Sequence, residues 1–99
     1  MSRLLLRPRA VQELDQIWTY TSERWGKAQA ERYLRAIRAE CAALASGAHT
    51  GTDASDIAPA YRKARAGRHV VFFRLAPDGD IDVVRILHDR MDARGHLAR

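Results

Sequence analysis

Two long stretches of helical periodicity meet at a single glycine, and that junction leaves the chain few ways to fold. From Arg9 to Trp25 the apolar positions Val11, Leu14, Ile17, Trp18, Thr21 and Trp25 recur in steps of three and four, one face of a helix. From Lys27 to Ser46 the same spacing runs through Ala30, Tyr33, Leu34, Ile37, Cys41 and Leu44, and Glu31 precedes Arg35 by four residues, the favourable order for a helical ion pair. Gly26 separates the two stretches and Gly47 closes the second, each at a place where a left-handed residue ends a helix. Two helices with so short a joint are expected to fold back as an antiparallel hairpin with facing apolar stripes.

The flanks read as strands. Arg3–Arg7 is short and apolar and ends at Pro8, whose missing N–H costs nothing at the start of a helix. Residues 47–60, rich in Gly, Ala, Ser, Thr and Asp, are expected to be a surface loop. Tyr61–Ala66, His69–Leu75 and Ile81–His88 follow as strands, parted by Gly67-Arg68 and by Pro77-Asp78-Gly79, both turn signals. Residues 89–99 read as a short polar tail. The expectation is one α+β domain over residues 1–99, ordered β-α-α-β-β-β, with the hairpin packed on one face of a small antiparallel sheet that the first strand joins.

Charge narrows the function. Residues 1–60 hold 8 Lys/Arg against 7 Asp/Glu, whereas residues 61–99 hold 9 against 5. The cationic C-terminal part points to an anionic partner, although a merely solvated basic surface has the same composition. The one cysteine, Cys41, excludes an intrachain disulfide and suits a reducing cytoplasm. No signal-peptide pattern and no apolar run of about 18 residues occurs, so nothing supports export or membrane spanning.

Spacings that carry catalysis are missing: no CxxC, no HExxH, no phosphate-cradling glycine loop and no GxSxG. His49, His69, His88 and His96 form no helical pair, so neither a metal nor a cofactor is expected. Cys41 lies on the apolar face of the second helix and reads as a small buried hydrophobe. Trp18, Tyr20, Trp25 and Tyr33 could stack on bases, but at helical spacing they read first as packing, with Trp18 and Trp25 toward the sheet and Tyr20 off that face. Arg62, Lys63, Arg65, Arg68, Arg74 and Arg85, with His69 and His88, fall on the strands and their turn. Simple alternation groups Ile81, Val83, Arg85 and Leu87 on one side of the last strand and gathers several arginines on the sheet face away from the helices. Such a face could bind phosphates or carboxylates. No helix has a basic recognition face, so nucleic-acid binding by this chain alone is not expected.

Three segments in order carry a resemblance. AVQELDQIWTYTSERWGKAQAERYL (10–34), AYRKARAGRHVVFFRL (60–75) and VVRILHDRMDARGHL (83–97) together resemble the ParE toxins of the RelE/ParE superfamily of toxin–antitoxin systems. The resemblance covers nearly the whole chain and is loosest at 47–58. It implies the fold just derived. It also implies a cognate ParD-like antitoxin, bound as a hetero-oligomer through a flexible segment along helices and sheet, and DNA gyrase as the target. On that basis Arg65, Arg85, His88, Arg90 and Met91 are the target-contact candidates, and Trp18, Tyr20, Tyr33, Arg62 and Arg74 the antitoxin-contact candidates. RelE-like relatives cut mRNA on the ribosome, with phosphate-clamping cations and an acid/base group. This chain has Arg62, Arg65, Arg85 and His88, but no tyrosine after Tyr61 and no glutamate after Glu40. The expectation is therefore a non-enzymatic gyrase inhibitor. The alternatives are a ribosome-dependent endoribonuclease and a non-toxic binding module on the same fold.

Overall fold

The computed structural model describes residues 3–97. Strand β1 (Leu4–Leu6) leads through Pro8 into helix α1 (Pro8–Trp25), then α2 (Lys27–Ser46), β2 (Thr52–Asp53), β3 (Arg62–Ala66), β4 (His69–Leu75), β5 (Ile81–His88) and a short helix α3 (Ala93–Leu97). One residue joins α1 to α2. Gly26 sits at φ +91°, its N–H closing α1 on the Ser22 carbonyl and its own carbonyl accepting the Ala30 N–H that opens α2. A side chain is strained at that φ, which is why the joint is glycine.

The sheet runs β1-β5-β4-β3-β2. The meander β3–β5 is antiparallel as expected, the two-residue β2 joins its edge from the segment expected to be a loop, and β1 lies parallel to β5, with Leu4 opposite Ile81 and Leu6 opposite Val83. The sheet is therefore mixed. The helical hairpin carries the chain from β1 to β2 at the opposite edge, and the meander returns it beside β1 as β5, the kind of long connection a parallel pair requires.

One face of the sheet packs under the hairpin. Leu14 and Ile17 of α1 and Leu34, Ile37, Cys41 and Leu44 of α2 meet Ala64, Val71, Phe73, Ile81, Val83 and Ile86. Cys41 is buried among them, and that burial pushes its thiol up to about 11. It is the small hydrophobe expected. The other face is also covered. Residues 54–58 turn back on themselves, with the Ala58 N–H on the Ala54 carbonyl, and lay Ala54 and Ala58 with Leu97 of α3 over Phe72 and Leu87. The segments read as a surface loop and a polar tail thus build a second small core. Their alanines are too few and too evenly mixed with polar residues to announce it.

A β-bulge alters the expected alternation. Phe72 pairs with Arg85 and Phe73 with Val83, so Val84 is the extra residue. Ile81 and Val83 face the helices, but after Val84 the order shifts by one, and Ile86 faces them while Leu87 joins the far core. Arg85 is thereby turned to the Phe72 side and is only 8% exposed. It reaches the edge of β5 that β1, ending at Leu6, leaves uncovered. There Glu13 of α1 takes the Ile86 N–H on Oε1 at 2.7 Å and the Arg85 Nε–H on Oε2 at 2.8 Å. Arg85 Nη1 also donates to the His96 carbonyl of α3 at 3.3 Å. One carboxylate thus ties helix, strand edge and C-terminal helix together.

Removing that carboxylate strands a backbone donor and a buried guanidinium. Glu13→Ala is expected to destabilise the fold by about 3–5 kcal/mol in urea unfolding, and Glu13→Gln, which keeps an acceptor for Ile86, by less. Equal stability of the Ala variant and the parent would show the tie to be dispensable.

Candidate functional site

At the end of the sheet nearest the α1–α2 joint, a cleft of about 410 Å³ opens between hairpin and strands. Its floor is set by the two-residue β3–β4 turn. Ala66 pairs with His69, and Gly67 stands at φ +61°, matching the hairpin turn that needs glycine first. A Cβ on Gly67 would also lie 2.7 Å from the Tyr33 ring. The glycine therefore serves twice, for the turn and for the close approach of α2.

Tyr33 uses that approach. Its hydroxyl oxygen accepts the Arg68 N–H at 2.9 Å, and the oxygen lies 2.6 Å from Nδ1 of His69. The hydroxyl has one proton to give, and its contact with Nδ1 suits a neutral imidazole that accepts there and carries its own proton on Nε2. Burial and the neighbouring His88 push the His69 pKa down to about 4, against the pull of Asp89. Burial raises the Tyr33 phenol above its ordinary value, opposed by the Arg68 N–H. His69 and His88 face one another across β4 and β5, ring centroids 5.2 Å apart and nearly perpendicular.

Behind them lies Asp89. Its Oδ2 takes Arg65 Nη2 and stands 3.4 Å from Arg68 Nε, while Arg65 Nε donates to the Gly67 carbonyl. Its Oδ1 is buried without a hydrogen-bond partner, 3.2 Å from Nδ1 of His88, and that Nδ1 accepts the Arg90 N–H at 3.1 Å. The opposite wall is aromatic. Tyr20 and Trp25 stand edge to face at 6.0 Å, both more than half exposed, with the Arg24 guanidinium 5.5 Å from the Trp25 ring centroid. Arg90 lies on the cleft, and Met91 lines the hollow that continues past His88 toward Glu13 and Ile17.

The expected contact residues distribute unevenly. Tyr20 and Tyr33 from one expected set meet His88, Arg90 and Met91 from the other around this one cleft and its extension. Arg65 stays exposed but is spent on Asp89. Arg85 is buried against Glu13, so its placement on an exposed binding face is corrected; Lys63, Arg65 and Arg74 do fall on the far face as expected, but residues 54–58 and α3 pack over Phe72 and Leu87 on that face. Arg62 holds the Thr50 and Gly51 carbonyls. Arg74 lies over the Tyr61 ring and 3.7 Å from Asp82, whose carboxyl the bidentate Arg7 holds below its ordinary value. Trp18 is partly buried, on a separate shallow groove between the helices with Arg35 and Arg38. Trp25, expected to face the sheet, is instead exposed on the cleft wall against Tyr20. Glu13 and the pairing of His69 with His88 carried no local signal: each depends on a partner 19 or more residues away in the chain.

A family model described as ParE toxin of type II toxin-antitoxin system, parDE, matches residues 4–93. Toxin ParE1 of Mycobacterium tuberculosis is 45% identical over 96 residues, 97% of this chain and 98% of that one. Toxin ParE1 of Caulobacter vibrioides is 38% identical over 92 residues, 93% of this chain and 94% of that one. Among solved structures, the chromosomal ParDE TA system from P. aeruginosa has a chain that superposes with a TM-score of 0.77, covering 89% of this chain and 96% of its own at 21% identity, a likeness of fold.

The buried, neutral His69 makes stability pH-dependent. The unfolded chain takes a proton on this residue near the ordinary value of 6.5, the folded one only at about 4. Between those values the unfolded state binds more protons, so stability falls as pH drops through the window. An imidazole titration by NMR is expected to place His69 near the lower value, and His69→Gln to flatten the slope of stability against pH. A His69 that titrates at its ordinary value would refute the neutral, Tyr33-bonded assignment.

Proposed function

This chain belongs to the family of ParE toxins of type II toxin–antitoxin systems, and from that premise we propose that it arrests growth by binding DNA gyrase directly, without catalysis, and that a ParD-like antitoxin neutralises it as a hetero-oligomer in the cytoplasm. The observation that carries the reading is the composition of the cleft. Tyr20 and Trp25 are large, exposed and rigid, with Arg24 beside them and Arg90 across the cleft. Aromatic and arginine side chains are the groups that dominate the energy of protein–protein contacts. Tyr20, Tyr33, His88, Arg90 and Met91 line one continuous surface, so a single antitoxin segment laid there would cover what the target needs. The groove at Trp18, with its mixed charges, offers such a segment a second hold along the helices.

A second reading, a ribosome-dependent endoribonuclease, draws on one observation: His88 shares the cleft with Arg68 and Arg90, beside a neutral His69. A histidine among arginines is the set that proton transfer at a phosphodiester uses. Against it, Arg65 and Arg68 already answer Asp89, which leaves less positive charge for a phosphate.

Controlled expression of the chain alone separates the two. Gyrase poisoning is expected to give arrest with double-strand breaks and intact transcripts. Arg90→Ala combined with Trp25→Ala should relieve the arrest and weaken gyrase binding on the order of 30-fold or more, with the fold intact, since both side chains project into solvent. Full toxicity of that stably expressed double variant would sink the cleft assignment. Cut transcripts with intact DNA would transfer the case to the ribonuclease, to be checked with His88→Ala. Arg85→Ala is unsuitable as the test, because it should unfold the Glu13 tie first.

A further inference from the structure

One imidazole nitrogen at the end of β5 has two neighbours and can satisfy only one of them. His88 Nδ1 accepts the Arg90 N–H at 3.1 Å and lies 3.2 Å from Asp89 Oδ1. That oxygen is buried and has no hydrogen-bond partner among the described residues, although Oδ2 of the same carboxylate holds Arg65 and stands 3.4 Å from Arg68. A nitrogen with a free lone pair takes the Arg90 N–H but offers Asp89 nothing, and a buried acceptor left unsatisfied is costly. A nitrogen carrying a proton can donate to Oδ1 but has to release Arg90. The two bonds exclude one another.

We infer that His88 is a proton-operated switch at the cleft: by taking a proton from solvent on Nδ1 while Nε2 keeps its own, it exchanges the Arg90 N–H for Asp89 Oδ1 and resets the turn that carries Arg90 and Met91. The surroundings leave this one exchange open. On β4, His69 stands opposite with ring centroids 5.2 Å apart, and burial and His88 hold it down to about 4, so it does not compete for the proton. Tyr33 on α2 is bonded to His69, and Glu13 on α1, which lines the hollow beside His88 with Tyr20, is held by Arg85. Arg65 and Arg68, from β3 and its turn, oppose a further cation but already face Asp89, whose charge lies between them and the ring. Releasing Arg90 is cheap, since the residue is exposed and its N–H can pass to water. The Asp89 N–H stays on the Arg68 carbonyl at 2.8 Å and the Met91 N–H on the His88 carbonyl at 3.0 Å, so the turn pivots at Arg90 without unravelling. As pH falls the charged ring bonded to Asp89 gains population, and as pH rises Arg90 is recaptured. The cleft thereby presents Arg90 in two settings.

What the switch does to a partner rests on the cleft reading above, but the switch itself is tested on the free chain, so the two can fail separately. NMR of the purified protein from about pH 8 to about pH 5.5 reads both halves of the exchange. At the upper end His88 is expected as the tautomer with its proton on Nε2 and the Arg90 amide protected. At the lower end both ring nitrogens should carry protons, the Asp89 carboxyl carbon should shift in step, and Arg90 protection, measured against its intrinsic exchange, should fall about fivefold. His88→Gln is expected to make the Arg90 amide indifferent to pH across this range. An Arg90 amide equally protected at both ends, a His88 already protonated on Nδ1 at the upper end, or a pH response that survives in His88→Gln would each overturn the inference. If His88→Gln fails to fold, the tautomer and the Arg90 amide of the parent chain still decide.

Discussion

Val84 is one residue too many in β5, and much of the molecule follows from where that residue is placed. Without the bulge, Arg85 would continue the helix-facing row of Ile81 and Val83 and bring a guanidinium into the main core, where an unmatched charge costs several kcal/mol. With it, Arg85 swings to the far side and curls round the strand edge to Glu13, and Ile86 takes its place beneath the helices. His88 comes opposite His69 and opens onto the cleft. A local irregularity of strand pairing thereby sets both the tie that holds α1 to the sheet edge and one wall of the cleft.

The same geometry explains why β1 can be so short. Its three residues cover β5 only to Val83, and beyond that point Glu13 substitutes for a strand by accepting the Ile86 N–H. The arrangement satisfies the inner edge of the sheet while leaving the outer edge of β1 bare.

Much of this is legible in the sequence alone. The helical hairpin, its glycine joint and the strands β3 to β5 stand at the expected places because periodicity, glycine and proline are local signals that tertiary contacts here reinforce. The far core escaped notice because Ala54, Ala58 and Leu97 are dispersed in polar sequence, and small residues announce burial poorly. The functional residues divide in the same manner. Tyr20, Tyr33, His88, Arg90 and Met91 could be named as candidates from their types and positions, but their separation in sequence says nothing of their meeting around one cleft.

What the sequence determined by itself was therefore the type and order of the main elements. Those properties depend on steric preferences and on apolar spacing within a few residues. Which way each side chain faces was decided only in the tertiary structure. The parallel placement of β1, the bulge at Val84, the pairing of Glu13 with Arg85 and the neutrality of His69 each join residues far apart in the chain, and their energies exist only once those residues are brought together and removed from water.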